Sequence, residues 1–131
     1  MKIKILAIFA FLMTAGSIQA QSAADKWPAL KEFHKVISET FHPAESGNLA
    51  PAKARSEELA TKAAALLKSD IPAEYRTNAI LVSAEKLQIK AKALNKLVIA
   101  KASDAEITKA ITDVHTVFHD IAGLCSEEKK Q

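Results

Sequence analysis

The sequence has little of what cross-links or interrupts a fold. Its single cysteine, Cys125, excludes an intrachain disulfide, so packing has to stabilise the protein. Its three glycines do not form a glycine-rich phosphate loop, and no segment alternates apolar and polar residues as a half-exposed strand does. A disulfide scaffold, a phosphate-loop nucleotide site and a β-sheet fold are therefore excluded, and an all-α fold is predicted.

The N-terminal stretch carries the longest apolar run of the chain. Lys2 and Lys4 precede and flank this run, which covers residues 5–13, and small residues follow it before Gln21. A run of this length is shorter than the roughly 20 apolar residues that span a bilayer, and its flanks are typical of a secretory signal peptide. We predict a cleaved signal peptide at residues 1–20 and one domain at 21–131, in a periplasmic or secreted protein. No cysteine follows the cut directly, which argues against a lipid anchor.

The chain lacks a strong excess of charge of either sign. It has 18 basic and 15 acidic residues, and cleavage after residue 20 would remove two lysines, leaving 16 − 15 = +1. The remaining lysines are spread over all the predicted helices. This near balance argues against nucleic acid as a partner and against membrane association after cleavage. Cys125 is predicted to be buried, bound to metal or paired with another molecule, and a homodimer is possible.

Apolar residues recur at steps of three and four through the domain, which is the spacing of amphipathic helices. Pro43 is expected to end the first helix, since proline disfavours helical geometry in the residue before it. Ser103 and Glu106 have the spacing of a capping box and predict where the last helix begins, and Gly123 is expected to end it. The predicted helices cover residues 25–41, 51–68, 72–100 and 104–123. Short connections between four helices predict an antiparallel up-and-down four-helix bundle.

Four histidines stand out, and all belong to the first and last helices. His115 and His119 are four residues apart, about 6 Å along a helix axis, so one face carries both imidazoles. His34 continues the apolar series of the first helix and is predicted to point inward, and His42 lies at the end of that helix. The first and last helices are neighbours in an up-and-down bundle. With a relative shift of two turns His34 would meet His119 and His42 would meet His115; otherwise His34 would lie nearer Asp113.

Imidazoles on two facing helices favour a transition-metal site. Nitrogen ligands suit zinc, copper or nickel and disfavour calcium and magnesium. We expect His34, His115 and His119 to bind the metal, with His42 as the fourth ligand. Further candidate ligands are Cys125, Glu45, Asp113 and Asp120, and the candidate hydrogen-bond acceptors around them are Ser38, Glu39, Thr40 and Thr116. No acid, base or nucleophile lies beside the histidines, so sequestration or delivery of the metal is expected rather than catalysis.

Two alternatives stay open at this stage. In the first, His34 is a core histidine bonded to a carbonyl and the other three are half-exposed. The protein is then a metal-free interaction or chaperone-like bundle of the periplasm. In the second, the bundle holds haem.

The haem alternative comes from a resemblance in architecture. In length, signal peptide and helix count the chain resembles the cytochrome b562 and cytochrome c-prime types of small exported bundle. It has no Cys-x-x-Cys-His motif for covalent haem, and residues 21–131 contain no methionine for a His/Met pair. After these two exclusions, the resemblance implies a b-type haem bound by two histidines, for example His34 and His119. The run Phe33-His34 to His42-Pro43, with the Ala44-Glu45-Ser46-Gly47-Asn48-Leu49 segment after it, is also similar to small exported bundle proteins of Gram-negative bacteria, which implies metal handling.

Overall fold

The fold of residues 23–130 is entirely helical in the computed structural model, which describes this part of the chain, with side chains for residues 25–126. The predicted signal peptide, residues 1–20, lies outside the described residues. The helices are α1 Ala23–Lys26, α2 Pro28–Glu45, α3 Ala50–Ala54, α4 Ser56–Lys68, α5 Asn78–Ile99 and α6 Asp104–Lys130, with one 3₁₀ turn at Ala73–Tyr75. The prediction of an all-α fold is confirmed.

The longer helices pack against each other as antiparallel neighbours. Helix α4 packs against α3 and α5, α5 packs against α6, and α2 packs against both α4 and α6. The contacts therefore run from α2 through α4, α5 and α6 and return to α2. Within residues 23–130, no helix is both long and apolar enough to cross a membrane.

The predicted apolar faces are the ones that are buried. A single core cluster joins them, and burial of such side chains is the main favourable contribution to folding. The buried side chains at this spacing of three and four residues are Trp27, Leu30, Phe33, Val36, Ile37, Phe41, Leu59, Ala63, Leu66, Ile80, Ala84, Leu87, Ala91, Leu94, Ile107, Ile111, Val114, Phe118 and Ile121.

The first long helix begins and ends later than predicted. It begins at Pro28 with Trp27 as its N-cap, and not at residue 25, because Pro28 has no N–H to continue the short helix α1 and fits the first position of a new one. Pro43 was expected to stop α2, and this was wrong, since the helix continues to Glu45. A proline this close to a helix end disturbs only the last turn.

A glycine cap explains where α2 does end. The N–H of Asn48 donates to the carbonyl of Pro43 and the N–H of Gly47 donates to the carbonyl of Ala44, with Gly47 at a φ of 92°. This pair of bonds is a Schellman motif, which needs one residue in the left-handed region. The same motif ends α5, where Lys101 takes the left-handed position with a φ of 58°.

The middle of the chain departs from the predicted boundaries at two places. The predicted helix 51–68 is interrupted at Arg55, which separates α3 from α4. Its guanidinium forms ion pairs with Glu39 and Glu58, and so ties this break to α2. The predicted helix at residue 72 begins only at Asn78, where the Thr77 hydroxyl accepts the N–H of Ile80.

The last helix begins as predicted and ends later. The capping box forms as expected, with the Glu106 N–H donating to Ser103 Oγ and the Ser103 N–H donating to Glu106 Oε2. Gly123 was expected to end the helix, and this was wrong, because α6 continues to Lys130. Cys125 is fully buried on the same apolar stripe. Burial of this next turn outweighs the roughly 1 kcal/mol that a helical glycine costs.

Candidate functional site

The antiparallel pairing of α2 and α6 brings the histidines to one side of the bundle. Along α2, residue 34 lies beside residue 118 and residue 41 lies beside residue 115, so the residue numbers of the two helices run in opposite directions. For His42 and His115 this corresponds to the shifted register described above. Their ring centroids are 6.3 Å apart.

Phenylalanine rings from the core support two of the imidazoles. Phe41 stacks on His115 with ring centroids 3.8 Å apart and planes inclined by 8°. Phe118 stacks on His34 at 4.9 Å and 16°, and also packs against Phe33. Because both phenylalanines are buried, these stacks fix the ring planes of His34 and His115 against the bundle surface.

His115 and His119 form the closest pair of imidazoles. Their Nε2 atoms are 3.1 Å apart, with ring centroids at 4.4 Å and planes inclined by 79°. At this distance one Nε2–H donates to the other Nε2, so the two rings take opposite tautomers in the absence of another ligand. The same separation suits two nitrogens that share one cation.

His42 is held by a carboxylate one helical turn away. Its Nδ1 lies 3.1 Å from Glu45 Oε2, so an Nδ1–H can donate to that oxygen and leave the Nε2 lone pair available. This is the arrangement in which a carboxylate orients a histidine that ligates through its other nitrogen. Both residues are exposed, and water competes for the bond.

The histidines differ in exposure. His115 is half-buried, whereas His34, His42 and His119 are exposed. Burial lowers the pKa of His115 below the ordinary value of 6.5, and the neighbouring rings of His119 and His42 add to this effect. His115 is therefore neutral at pH 7. The prediction that His34 points inward was wrong: its ring lies on the face of Phe118, at the surface.

Several of the predicted additional ligands and acceptors are engaged elsewhere. Asp113 forms ion pairs with Lys109 and Lys90, and Glu39 binds Arg55 and Lys35. These interactions occupy both carboxylates.

Two more of these candidates are buried. The Thr40 hydroxyl donates to backbone carbonyls of its own helix. Cys125 is fully buried, as one of the three predictions for it stated.

The structure brings three of the four histidines into one row and places the fourth beside them. His42, His115 and His119 follow one another with ring contacts, while His34 makes its ring contact with Phe118. Among residues 23–130 with described side chains, no group of three or more His, Cys, Asp or Glu has the geometry to hold a metal ion. The site therefore consists of the close pair His115 and His119, with His42 as a third imidazole near it.

Two features of this site were not apparent in the sequence. The stack of Phe41 on His115 depends on the register between α2 and α6, which no local pattern reports. The bond between His42 and Glu45 follows the i, i+3 spacing of a helix. That spacing brings the two side chains together only if the helix continues past Pro43, where it was predicted to end.

Comparisons with protein-family models, with curated proteins and with solved structures found no significant match to this chain.

Proposed function

We propose that the protein is an exported up-and-down four-helix bundle that binds zinc, copper or nickel through histidines of α2 and α6. His115 and His119 are the primary ligands, His42 is the third, and His34 is the outermost of the four. The role is sequestration or delivery of the metal, without catalysis. The cyclic packing of α2, α4, α5 and α6 supports the bundle architecture.

The observation that carries the proposal is the distance of 3.1 Å between the Nε2 atoms of His115 and His119. Two nitrogens bound to one metal at about 2.1 Å in tetrahedral geometry are roughly 3.4 Å apart. The pair is thus within a few tenths of an ångström of a chelating geometry. The stack of Phe41 on His115 holds one of the two rings in place before a metal binds.

The third ligand requires a small movement. Ring centroids of two histidines that share a tetrahedral metal are roughly 5 Å apart, against 6.3 Å between His42 and His115. His42 is exposed, so rotation of its side chain closes this gap without disturbing the core. Glu45 then stabilises the bound form by accepting the Nδ1–H of His42.

The alternative function is a metal-free interaction bundle. Its support is that the hydrogen bond between His115 and His119 already satisfies both Nε2 atoms. In this case the histidines are surface residues of a structural protein, and any transition metal binds weakly and without fixed stoichiometry.

Calorimetric titration of the purified protein with zinc, copper and nickel separates the two functions. We expect one metal per chain, and a loss of affinity of at least about 100-fold in the double variant His115→Ala/His119→Ala. The variant His34→Ala removes the outermost of the four histidines, which is exposed, and should weaken binding the least. Glu45→Gln should weaken binding by roughly tenfold, as the loss of a carboxylate behind a histidine ligand does.

Two results would overturn the metal proposal. One is binding that the double variant retains in full, and the other is millimolar binding without fixed stoichiometry in the unaltered protein.

Two further measurements test the remaining predictions. The absorbance of a haem-reconstituted sample tests the b-haem alternative. The N-terminal residue of the exported protein tests the predicted cleavage before Gln21.

A further inference from the structure

The outward face of α5 carries exposed aliphatic side chains in a row with lysines. Its residues at steps of four and three are all exposed, and we call them the α5 outer stripe: Val82, Lys86, Ile89, Ala93 and Lys96. Val82 is 57% exposed and Ile89 is 59% exposed, and they are two of the three large hydrophobic residues with high exposure in the described chain. The third, Ile99, ends the same helix. The inward face of α5 lies in the core, so nothing in the fold requires aliphatic residues on this side.

The positive charge of the protein is concentrated on the same helix. Helix α5 contains four lysines and one glutamate, a net charge of 4 − 1 = +3, whereas residues 23–130 together carry 16 − 15 = +1. The rest of the described chain is therefore at −2. Lysines occur in every long helix. Of the eight lysines outside α5 whose side chains the structure describes, five are paired with carboxylates.

Neither the two lysines of the stripe nor Lys92 beside them has a carboxylate of its own. Lys90, on the flank toward α6, pairs with Asp113, but Lys86, Lys92 and Lys96 make no ion pair within the described residues. Glu85 is the one acidic residue of α5. Unpaired lysines beside exposed aliphatic groups form a surface that is complementary to an anionic and partly apolar partner.

The shape of the stripe distinguishes between possible partners. It lies along the ridge of a helix, and its large aliphatic side chains, Val82 and Ile89, are about 10 Å apart with Lys86 between them. A protein partner needs a continuous buried patch of roughly 800 Å² on each side, whereas the two large aliphatic side chains of the stripe are separated by a lysine. A second copy of the chain would set lysines against lysines. A lipid surface accepts separate side chains between its headgroups and provides phosphates for the lysines between them.

The near balance of charge over the whole chain argued against membrane association, but the charge of α5 taken alone favours it. We propose that the α5 outer stripe docks the folded protein on an anionic phospholipid surface. Val82 and Ile89 enter the headgroup region, while Lys86, Lys92 and Lys96 contact lipid phosphates. The helix stays packed in the bundle, because its opposite face is buried in the core. The docking is therefore peripheral and reversible, and it is independent of the histidine site on α2 and α6.

Sedimentation with lipid vesicles tests this docking. The protein, purified after export in its processed form, is mixed at low salt with vesicles of phosphatidylglycerol and phosphatidylcholine, or of phosphatidylcholine alone. We expect binding to the anionic vesicles only, with most of it lost at high salt, where charges are screened. Lys86→Gln/Lys96→Gln should weaken binding roughly 25-fold, at about fivefold for each lysine near the surface. Val82→Ser/Ile89→Ser should weaken it roughly tenfold.

The control variant Lys31→Gln/Lys68→Gln removes the same charge from exposed positions of α2 and α4 and should bind as the unaltered protein does. Circular dichroism verifies that each variant is folded. Failure to bind anionic vesicles, equal loss in the control variant, or binding to polyglutamate in place of vesicles would each overturn the proposal. The last result would assign the stripe to an acidic protein partner.

Discussion

Two helix pairs of this bundle, α4 with α5 and α2 with α6, are joined by different kinds of side chain. The buried residues of α4 and α5 are alanine, leucine and isoleucine, with one serine. That serine, Ser56, donates to the Asn95 amide oxygen and so is satisfied within the fold. Between α2 and α6 the buried residues include Phe41 and Phe118, and imidazoles stack on their outer faces.

The difference lies in what polar groups do at each helix pair. Between α4 and α5 the polar groups are hydrogen-bonded in the interior and stabilise the structure. At α2 and α6 they lie at the rim, partly exposed, and at least the Nε2 of His42 can take up another partner. The proposed binding site therefore lies at the rim of one helix pair, outside the core cluster that joins all the long helices.

The largest effect is expected for truncation of the core between α4 and α5. Leu87 is fully buried, so Leu87→Ala should lower the free energy of unfolding by about 3 kcal/mol through lost burial and the cavity left behind. His119→Ala, at an exposed position of the other pair, should change it by less than about 0.5 kcal/mol. Urea unfolding measures both. A comparable loss of unfolding free energy in the two variants would contradict this difference between the helix pairs, because His119 would then stabilise the fold as the core does.

The buried polar pair gives the next effect. Ser56→Ala removes the donor to Asn95 and should cost about 1 to 1.5 kcal/mol of unfolding free energy. Ser126→Ala, at an exposed position of α6, is the matched control and should have little effect. Chemical denaturation of the two variants gives the comparison, and equal values would show that the buried hydrogen bond contributes nothing.

The two Schellman caps, one at the end of α2 and one at the end of α5, allow a comparison at smaller scale. Lys101 has a left-handed conformation that costs a side chain about 1 kcal/mol, so Lys101→Gly should stabilise the protein by up to that amount. Gly47→Ala should destabilise it by a similar amount for the opposite reason. Thermal melts of both variants check the signs, and a stabilising Gly47→Ala would contradict the assigned motif.

The smallest expected effect is a dependence of the unfolding free energy on pH that arises from His115. Burial lowers the pKa of His115 in the folded protein, so the unfolded chain takes up a proton first as the pH falls through 6.5. Stability from this group is complete above that pH, is lost progressively below it, and levels off once folded His115 is protonated. In the variant His115→Gln, the unfolding free energy should depend less on pH below 6.5 than it does in the unaltered protein. An unchanged slope in the variant would assign the pH dependence to other groups.

Local patterns predicted most of the fold, and the reasons for the exceptions are physical. The three-and-four spacing identified the core, and the capping box at Ser103 gave the start of α6. The ends near Pro43 and Gly123 were wrong, since the burial of Ala44 and Cys125 outweighed the local preferences of proline and glycine. Thr77 was missed as an N-cap because Pro72 had the more familiar pattern for a first turn.

The candidate site could be predicted only in part. The spacing of His115 and His119 placed them on one face, whatever their surroundings. Whether His42 or His34 reaches them depends on how far α2 slides along α6, which is decided by core packing at residues distant in sequence. The exposure of His34 is a consequence of the same packing, since Phe118 fills the space beneath it.

Trp27 gives the protein a built-in optical reporter. It is the single tryptophan of the chain, it is fully buried at the start of α2, and its indole N–H donates to Ser69 Oγ at 2.9 Å. Its ring lies 6.4 Å from Tyr75, close enough for excitation of the tyrosine to pass to it. The fluorescence emission therefore reports on one site, where the start of α2 contacts the turn after α4. On unfolding, the emission shifts to longer wavelength as this contact is lost, and no added label is needed to follow it.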